Sequence, residues 1–156
     1  MIRPATPADV ATILGFVRDL AAFEREPDAV DATEPMLAAA LFGDAPAAEA
    51  VIAEAAGEAV GFALFFHNFS TWTGRRGLYL EDLYVTPDAR GRGIGGALLR
   101  HLAGIAVARG CARFEWSVLD WNAEAIAVYR RIGAVGMEDW TVQRLSGEPL
   151  RRLAAG

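Results

Sequence analysis

The chain has 156 residues, 53% of them hydrophobic and 22% charged, with 15 Lys plus Arg against 20 Asp plus Glu and a formal net charge of -5. That length fits one domain with a sizeable core, and the composition excludes a disordered chain. The acidic balance argues against nucleic acid as the main partner, because phosphate binding needs a basic surface, and is compatible with a small cationic ligand. The one cysteine, Cys111, rules out an intrachain disulfide and a Cys-rich metal site. Met1 to Thr6 lacks the apolar run of a signal peptide, and no stretch of about 18 apolar residues is present to span a membrane. The expected location is therefore the cytoplasm.

A short strand is expected at Ile2 to Pro4. Thr6-Pro7-Ala8-Asp9 then supplies a cap, a proline at the first helical position and an early acid. Val10, Ile13, Leu14, Val17 and Leu20 follow at helical spacing, which predicts an amphipathic helix over 7–22. Thr33-Glu34-Pro35 starts a second helix that ends near Gly43. From Glu49 the period changes. Ala50 to Glu54 and Ala59 to Phe66 read as strands joined by the turn Ala56-Gly57-Glu58, an antiparallel hairpin. After a loop from Ser70 to Gly77, Leu78 to Val85 is the next strand. A glycine-rich turn, a helix over 95–109, a strand at Arg113 to Val118, a helix over 123–132 and a closing strand near Trp140 to Leu145 complete the order. Arg151-Arg152 reads as a solvated helix end. No internal repeat or linker divides the chain. Antiparallel strands first and a β-α-β unit second predict an α/β fold with a mixed sheet and helices on both faces.

Arg90-Gly91-Arg92-Gly93-Ile94-Gly95-Gly96 lies between a strand and a helix. Glycines let successive N–H groups point into one concavity, the helix start adds partial positive charge, and Arg90 and Arg92 add cationic donors. This predicts a pyrophosphate cradle; the plain alternative is a turn without a ligand. Gly91, Gly93 and Gly96 also satisfy G-x-G-x-x-G, with Glu115 near the offset of a ribose-binding acid, so a small nucleotide-binding oxidoreductase is a rival. Two facts oppose it. Thr86 to Arg90 separate the strand from the first glycine, and too little chain follows Gly96 for the rest of a doubly wound domain. No Gly-Lys-Ser/Thr ends the run, so a P-loop is excluded.

The run also fits Arg/Gln-x-x-Gly-x-Gly/Ala. With Leu80-Glu81-Asp82-Leu83-Tyr84-Val85 before it and Asn122 to Gly133 after it, the chain resembles the GNAT superfamily of acetyltransferases. Ile2-Arg3-Pro4-Ala5-Thr6, Tyr79-Leu80-Glu81-Asp82 and Trp121-Asn122-Glu124-Tyr129 resemble the diamine (spermidine/spermine) and thialysine N-acetyltransferases within it. The similarity runs from Ile2 to about Leu145. It implies one acetyltransferase domain over 1–156, acetyl-coenzyme A as cosubstrate without a metal, a small-molecule amine acceptor, direct transfer and a homodimer. It implies coenzyme contacts at Leu83, Tyr84, Val85, Arg90 to Gly96 (Arg90, Gly91, Arg92, Gly93, Ile94, Gly95, Gly96), Asn122, Ala125, Tyr129 and Arg131. It implies acceptor contacts at Phe23, Glu24, Glu81, Glu115, Trp116, Ser117 and Glu138. Trp72 and Trp140 could add cation–π contacts to an alkylammonium, or serve as core or interface. The polyamine enzymes carry an acid where this chain has Ser70, a departure that leaves thialysine, another diamine or an amino-acid-like amine open.

Acetyl transfer requires a neutral amine, a polarised thioester carbonyl and a protonated leaving thiolate. An alkylammonium has a pKa of roughly 10, so a base or relay must take its proton. Glu81 is the candidate, directly or through water. Strand alternation points Glu81 and Asp82 to opposite sides, and both could simply face solvent; lining one cleft together would need a bulge. The resembled family has one there. Tyr129 is the candidate general acid, since a phenol of pKa about 10 stays protonated at neutral pH and can donate to a thiolate. Asn122 can cap its helix, with Tyr129 two turns along the same face. The competing reading makes Tyr129 a core residue beside Ile126 and Ile132. A backbone N–H near Leu83 to Val85 could polarise the carbonyl. The rival from another class is a coenzyme A-binding sensor that performs no transfer. His67 and His101 have no third ligand at metal spacing, and Cys111 reads as core rather than nucleophile.

Overall fold

The computed structural model describes residues 1–156. Five strands, β1 (Ile2–Pro4), β2 (Glu49–Ala55), β3 (Glu58–Ser70), β4 (Arg75–Val85) and β5 (Phe114–Trp116), form one sheet in the order β1-β2-β3-β4-β5. Neighbours are antiparallel except β4 and β5, which run parallel. The predicted mixed sheet is therefore present. A doubly wound dinucleotide domain is built on a mostly parallel sheet, and a single parallel pair does not supply one. The β2–β3 hairpin turns through Ala56 (φ 53°) and Gly57 (φ 84°), the left-handed two-residue geometry that matches the twist of paired strands. The expected loop from Ser70 to Gly77 is shorter, because Arg75 to Gly77 pair with Asn68 to Ser70 and extend β4. β5 is also shorter than the expected 113–118, since only Phe114, Glu115 and Trp116 find partners.

Helices α1 (Val10–Phe23) and α2 (Glu34–Phe42) cover one face of the sheet, and α3 (Ile94–Ala108) packs against β3 and β4. Ile13, Phe16, Leu41, Ile52, Phe62 and Tyr84 form the core beneath α1 and α2. The Phe16 ring stacks on Phe62 at 5.8 Å and tilts against Tyr84 at 5.5 Å. Alternate strand residues on the other face, Phe65, Leu78 and Leu80, are buried with Leu98, Leu102 and Ala106 of α3. Burying a side chain such as Phe62 or Leu98 contributes about 1.5–3 kcal/mol, so β3 and β4 are clamped from both sides. At the far end of α3, Arg109 donates to both Glu49 carboxylate oxygens and to His67 Nε2, while His67 Nδ1 donates to the Gly77 carbonyl at 3.0 Å. Cys111 Sγ lies 3.8 Å from the same ring nitrogen and is only half-buried, less enclosed than the core position expected of it.

The chain divides into two compact units, Met1–Leu119 and Asp120–Gly156. The second consists of α4 (Ala123–Arg131) and α5 (Gly147–Ala155) with the segment between them. The closing strand expected near Trp140 to Leu145 is absent. Composition signals a preference for extended backbone, but a strand exists only as a ladder of hydrogen bonds with a neighbour; residues 140–145 form none, and Trp140, Val142 and Leu145 are exposed. Arg151 and Arg152 lie on solvated α5, where Arg151 pairs with Glu148 one turn earlier. No helix is long and apolar enough to cross a membrane.

Asp9 anchors the start of the chain. It is buried, accepts two hydrogen bonds from the Arg3 guanidinium at 2.8 Å, and takes the Thr6 N–H at 2.7 Å in a capping box ahead of α1. Arg3 Nε also donates to Glu54 of β2 at 2.6 Å. The Arg3 guanidinium holds the Asp9 carboxyl well below its ordinary value. A carboxyl depressed in the folded state stabilises fully above its unfolded pKa, and that stability drains away as pH falls below about 4. Asp9→Asn is expected to cost about 2 kcal/mol, lowering the thermal midpoint at pH 7 by roughly 4–8 °C. Its unfolding should also lose part of the wild type's pH dependence below about pH 4. Circular-dichroism melts across pH measure both effects.

Candidate active site

The turn before α3 has the expected concave backbone. Gly91 and Gly93 adopt φ of 75° and 78°, and a Cβ built on either would meet nothing within 4 Å, so the concavity is open. The first hydrogen bond of α3 runs from Ala97 N–H to the Gly93 carbonyl. The N–H groups of Gly91 to Gly96 donate to no backbone acceptor, which leaves a run of donors at the positive end of a helix dipole. That donor set fits a pyrophosphate. Arg90 differs from expectation. Its Nε donates to the Val85 carbonyl at 3.0 Å, and its guanidinium covers the Phe23 and Tyr84 rings at 5.3 and 5.6 Å. It ties the turn to β4 and α1, whereas Arg92 is exposed beside the donors.

β4 carries the second feature. Asp82 pairs with Leu64 and Leu80 pairs with Phe65, so Glu81 is an extra residue opposite a single step of β3, a β-bulge. The bulge resets the alternation. Leu83 and Val85 approach Gly95 at the start of α3, while Tyr84 sits in the core under α1. Asp82, two residues before Tyr84, shares its face, and the extra residue leaves Glu81 on that face as well. The two acids thus lie side by side. Glu81 is exposed and Asp82 half-buried. Burial, then the like charges of Glu81 and Glu24, push the Asp82 carboxyl up to about 6. Glu24, at the C-cap of α1, is raised by burial. It sits at the negative end of that helix, where a carboxylate is disfavoured. A Schellman closure sets it there: Glu26 N–H donates to the Ala21 carbonyl and Arg25 N–H to the Ala22 carbonyl, with Arg25 at φ 68° in the position glycine usually takes. None of the three carboxyls is in an ion pair.

β4 and β5 pair only as far as Leu80 and Trp116, although β4 continues to Val85. Beyond that point the strands part, leaving the edge of Glu81 to Val85 unpaired by β5. Tyr79 and Ser117 share a hydrogen bond at 2.8 Å across the last paired step. Alternation puts Glu115 and Ser117 on the Tyr79 side and sends Trp116 to the opposite face with Phe114, 4.9 Å away. Phe114 lines a surface cleft together with Ala103, Ala106 and Val107 of α3. Phe23, Glu24, Glu81, Glu115 and Ser117 therefore share one side of the sheet, and Trp116 does not. Trp72 is at the exposed tip of the β3–β4 hairpin, more than roughly 20 Å along the strand from Glu81 at about 3.3 Å per residue. The Tyr84 side chain is core, its hydroxyl donating to Asp19 at 3.5 Å, so only its backbone faces the opened edge. Asp82 was not singled out in the sequence. The adjacent acids were visible there, and the bulge that the resemblance implied between them is present in the register of β3 and β4.

In the second unit, Asn122 Oδ1 accepts from Ala125 N–H at 3.2 Å and caps α4 as expected. Tyr129 is half-buried two turns on, and its carbonyl accepts the Ala134 N–H in a Schellman closure at Gly133. Ala125 is half-buried, while Arg131 and Glu138 are exposed. No group of three or more His, Cys, Asp or Glu residues is arranged to hold a metal ion.

Residues 16–134 match the model of the acetyltransferase (GNAT) family. Thialysine N-epsilon-acetyltransferase of Sus scrofa is 40% identical over 99% of this chain and 96% of its own. L-ornithine N5-acetyltransferase NATA1 of Arabidopsis thaliana is 29% identical over 97% and 86%. Among solved structures, an integron cassette protein from the mobile metagenome of V. cholerae superposes with a TM-score of 0.83 at 28% identity, covering 100% of this chain and 98% of that one.

The open turn generates a paired test. An L-residue at φ 78° costs about 1–2 kcal/mol, so Gly93→Ala should weaken coenzyme A binding roughly tenfold by titration calorimetry. Gly104→Ala, where a Cβ within α3 would meet nothing, should leave binding unchanged and stabilise by about 0.5–1 kcal/mol.

Proposed function

Because the chain belongs to the acetyltransferase (GNAT) family and is an amine N-acetyltransferase, we propose that its acceptor is the primary amine of a small molecule carrying a second polar or charged group, of the diamine, polyamine or thialysine type. The observation that carries this reading is the set of unpaired carboxyls, Glu24, Glu81 and Asp82, gathered on one face beside the glycine-rich turn. Like charges held together without a counter-ion are costly, and a bound ammonium would relieve the cost. The relatives named for thialysine and L-ornithine acetylation act on side-chain amines of amino acids, and Ser70 in place of an acid favours that group over a polyamine. The family match crosses from the first unit into the second, which supports one acetyltransferase domain over 1–156.

Acetyl-coenzyme A, when bound, supplies the acetyl group as a thioester. Its pyrophosphate is held by the N–H groups of Gly91 to Gly96 with Arg92, while Arg90 fixes the turn. The unpaired edge of Leu83 to Val85 lends a backbone N–H to the carbonyl. Asn122, Ala125 and Arg131 line the pantetheine arm. Phe23, Glu24, Glu115 and Ser117 orient the acceptor, Glu81 receives its proton, and Tyr129 protonates the departing sulfur. In this reading the protein is a homodimer with Glu138 as a further acceptor contact, while Trp116, on the opposite face of the sheet, and Trp72, at the hairpin tip, take no part.

Free thiol release from acetyl-coenzyme A across putrescine, spermidine, spermine, lysine, ornithine and thialysine tests the proposal. Turnover with one class is expected, and Tyr129→Phe should lower kcat by about 100-fold or more while binding coenzyme A unchanged. Tight coenzyme A binding without thiol release from any amine would favour a sensor instead.

A further inference from the structure

Asp82 has no part in the scheme above, yet its surroundings suit a proton acceptor. The bulge sets it beside Glu81 on the acceptor face, opposite apolar Leu64 in the β3 ladder. Glu81 is exposed and Asp82 half-buried, so a proton passing inward from solvent meets Glu81 first. No buried polar side-chain atom in the protein lacks a hydrogen-bond partner, and Asp82 has none, so its oxygens keep access to water or to an incoming amine. The charged groups facing it are few. Glu81 is on its own strand and Glu24 comes from the end of α1, both acidic. Tyr84 directs its hydroxyl to Asp19, and Arg90 is committed to the Val85 carbonyl and the Phe23 and Tyr84 rings.

From this geometry, and resting on the amine-acetyltransferase reading, we infer that Asp82 is the final holder of the proton taken from the acceptor ammonium, with Glu81 passing it inward. The ammonium gives one proton to the carboxylate pair, leaving a neutral amine and one protonated carboxyl. The amine nitrogen then bonds to the acetyl carbon as the carbon–sulfur bond breaks. Tyr129 gives its proton to the departing sulfur, and the second proton lost by the nitrogen returns to the Tyr129 phenolate. The proton on Asp82 departs to water, so each turnover releases one proton. The environment aids the first transfer: a carboxyl at about 6 rather than near 4 makes it about 100-fold less unfavourable.

The test is kcat and kcat/KM against pH from 5 to 9, with the best amine of the panel, for the wild type, Asp82→Asn, Asp82→Glu and Glu81→Gln. An inflection near pH 6 is expected in the wild type, on top of the steady rise from amine deprotonation. Asp82→Asn should lower kcat by about 100-fold, lose the inflection and keep the KM for acetyl-coenzyme A within about twofold. Asp82→Glu should restore much of the rate. Glu81→Gln should keep the inflection and move it to lower pH, because one like charge has gone. Thermal melts should show Asp82→Asn at least as stable as wild type, since a half-buried charge repelled by two neighbours is removed. The inference is overturned if Asp82→Asn retains rate and inflection, or if Glu81→Gln abolishes the inflection. The Glu81→Gln shift stands as an independent readout should Asp82→Asn fold poorly. A wild type that acetylates no amine overturns the acceptor reading itself, whereas an active wild type matched by Asp82→Asn overturns only this inference.

Discussion

One additional residue in β4, Glu81, opposite the step from Leu64 to Phe65 of β3, sets the arrangement of the first unit's chemistry. Before it, Leu78 and Leu80 are buried on the α3 side; after it, Leu83 and Val85 face α3 and Tyr84 anchors the core under α1. Two well-packed stretches of one strand thus keep their hydrophobic registers only if the residue between them is accommodated as a bulge. The acids occupy that residue and the next. The same strand leaves β5 after Leu80 and ends at the turn whose N–H groups open α3. The face carrying Glu81 and Asp82, the opened backbone edge and the glycine-rich turn therefore hang from one continuous stretch of β4.

The electrostatics follow from that geometry. Glu24 sits at the unfavourable end of α1, held there by a left-handed Arg25 that closes the helix. Asp82 is lifted by burial and by two acidic neighbours. Arg90 is engaged with a carbonyl and two rings rather than with these acids. The same kinds of group are used differently at the other end of the unit, where Arg3 bridges Asp9 and Glu54 and the Asp9 carboxyl is pushed down instead of up. The paired acids stabilise the fold, whereas the unpaired ones leave uncompensated charge on one face of the sheet. Both patterns occur in a chain of net charge -5, so the net charge alone distinguished neither.

The segments read correctly from the sequence were those whose structure is decided locally. Thr6 and Thr33 start helices, Asn122 caps α4, Gly57 turns the hairpin, and the apolar spacing of α1 and α3 selects their buried faces, because caps, turns and helical period act within a few residues. The glycine run showed its open turn for the same reason: positive φ and free helix-end donors are backbone properties of those positions. The strand expected near Trp140 to Leu145 failed because pairing requires a neighbour that residues 120–156 do not contain.

What the sequence by itself determined was the order of elements as far as α4, the glycine-rich turn ahead of α3, the family and the residue types available for acetyl transfer. Tertiary structure alone decided which of them share a face. Only the register of β3 against β4 makes Glu81 a bulge and brings Asp82 beside it, and only the loss of pairing after Leu80 opens the strand edge. Packing also made Arg90 an anchor and turned Trp116 away from Glu115 and Ser117. Register, parting strands and facing carboxyls depend on residues tens of positions apart, and a side chain's neighbours across a sheet are set by packing that no local pattern encodes.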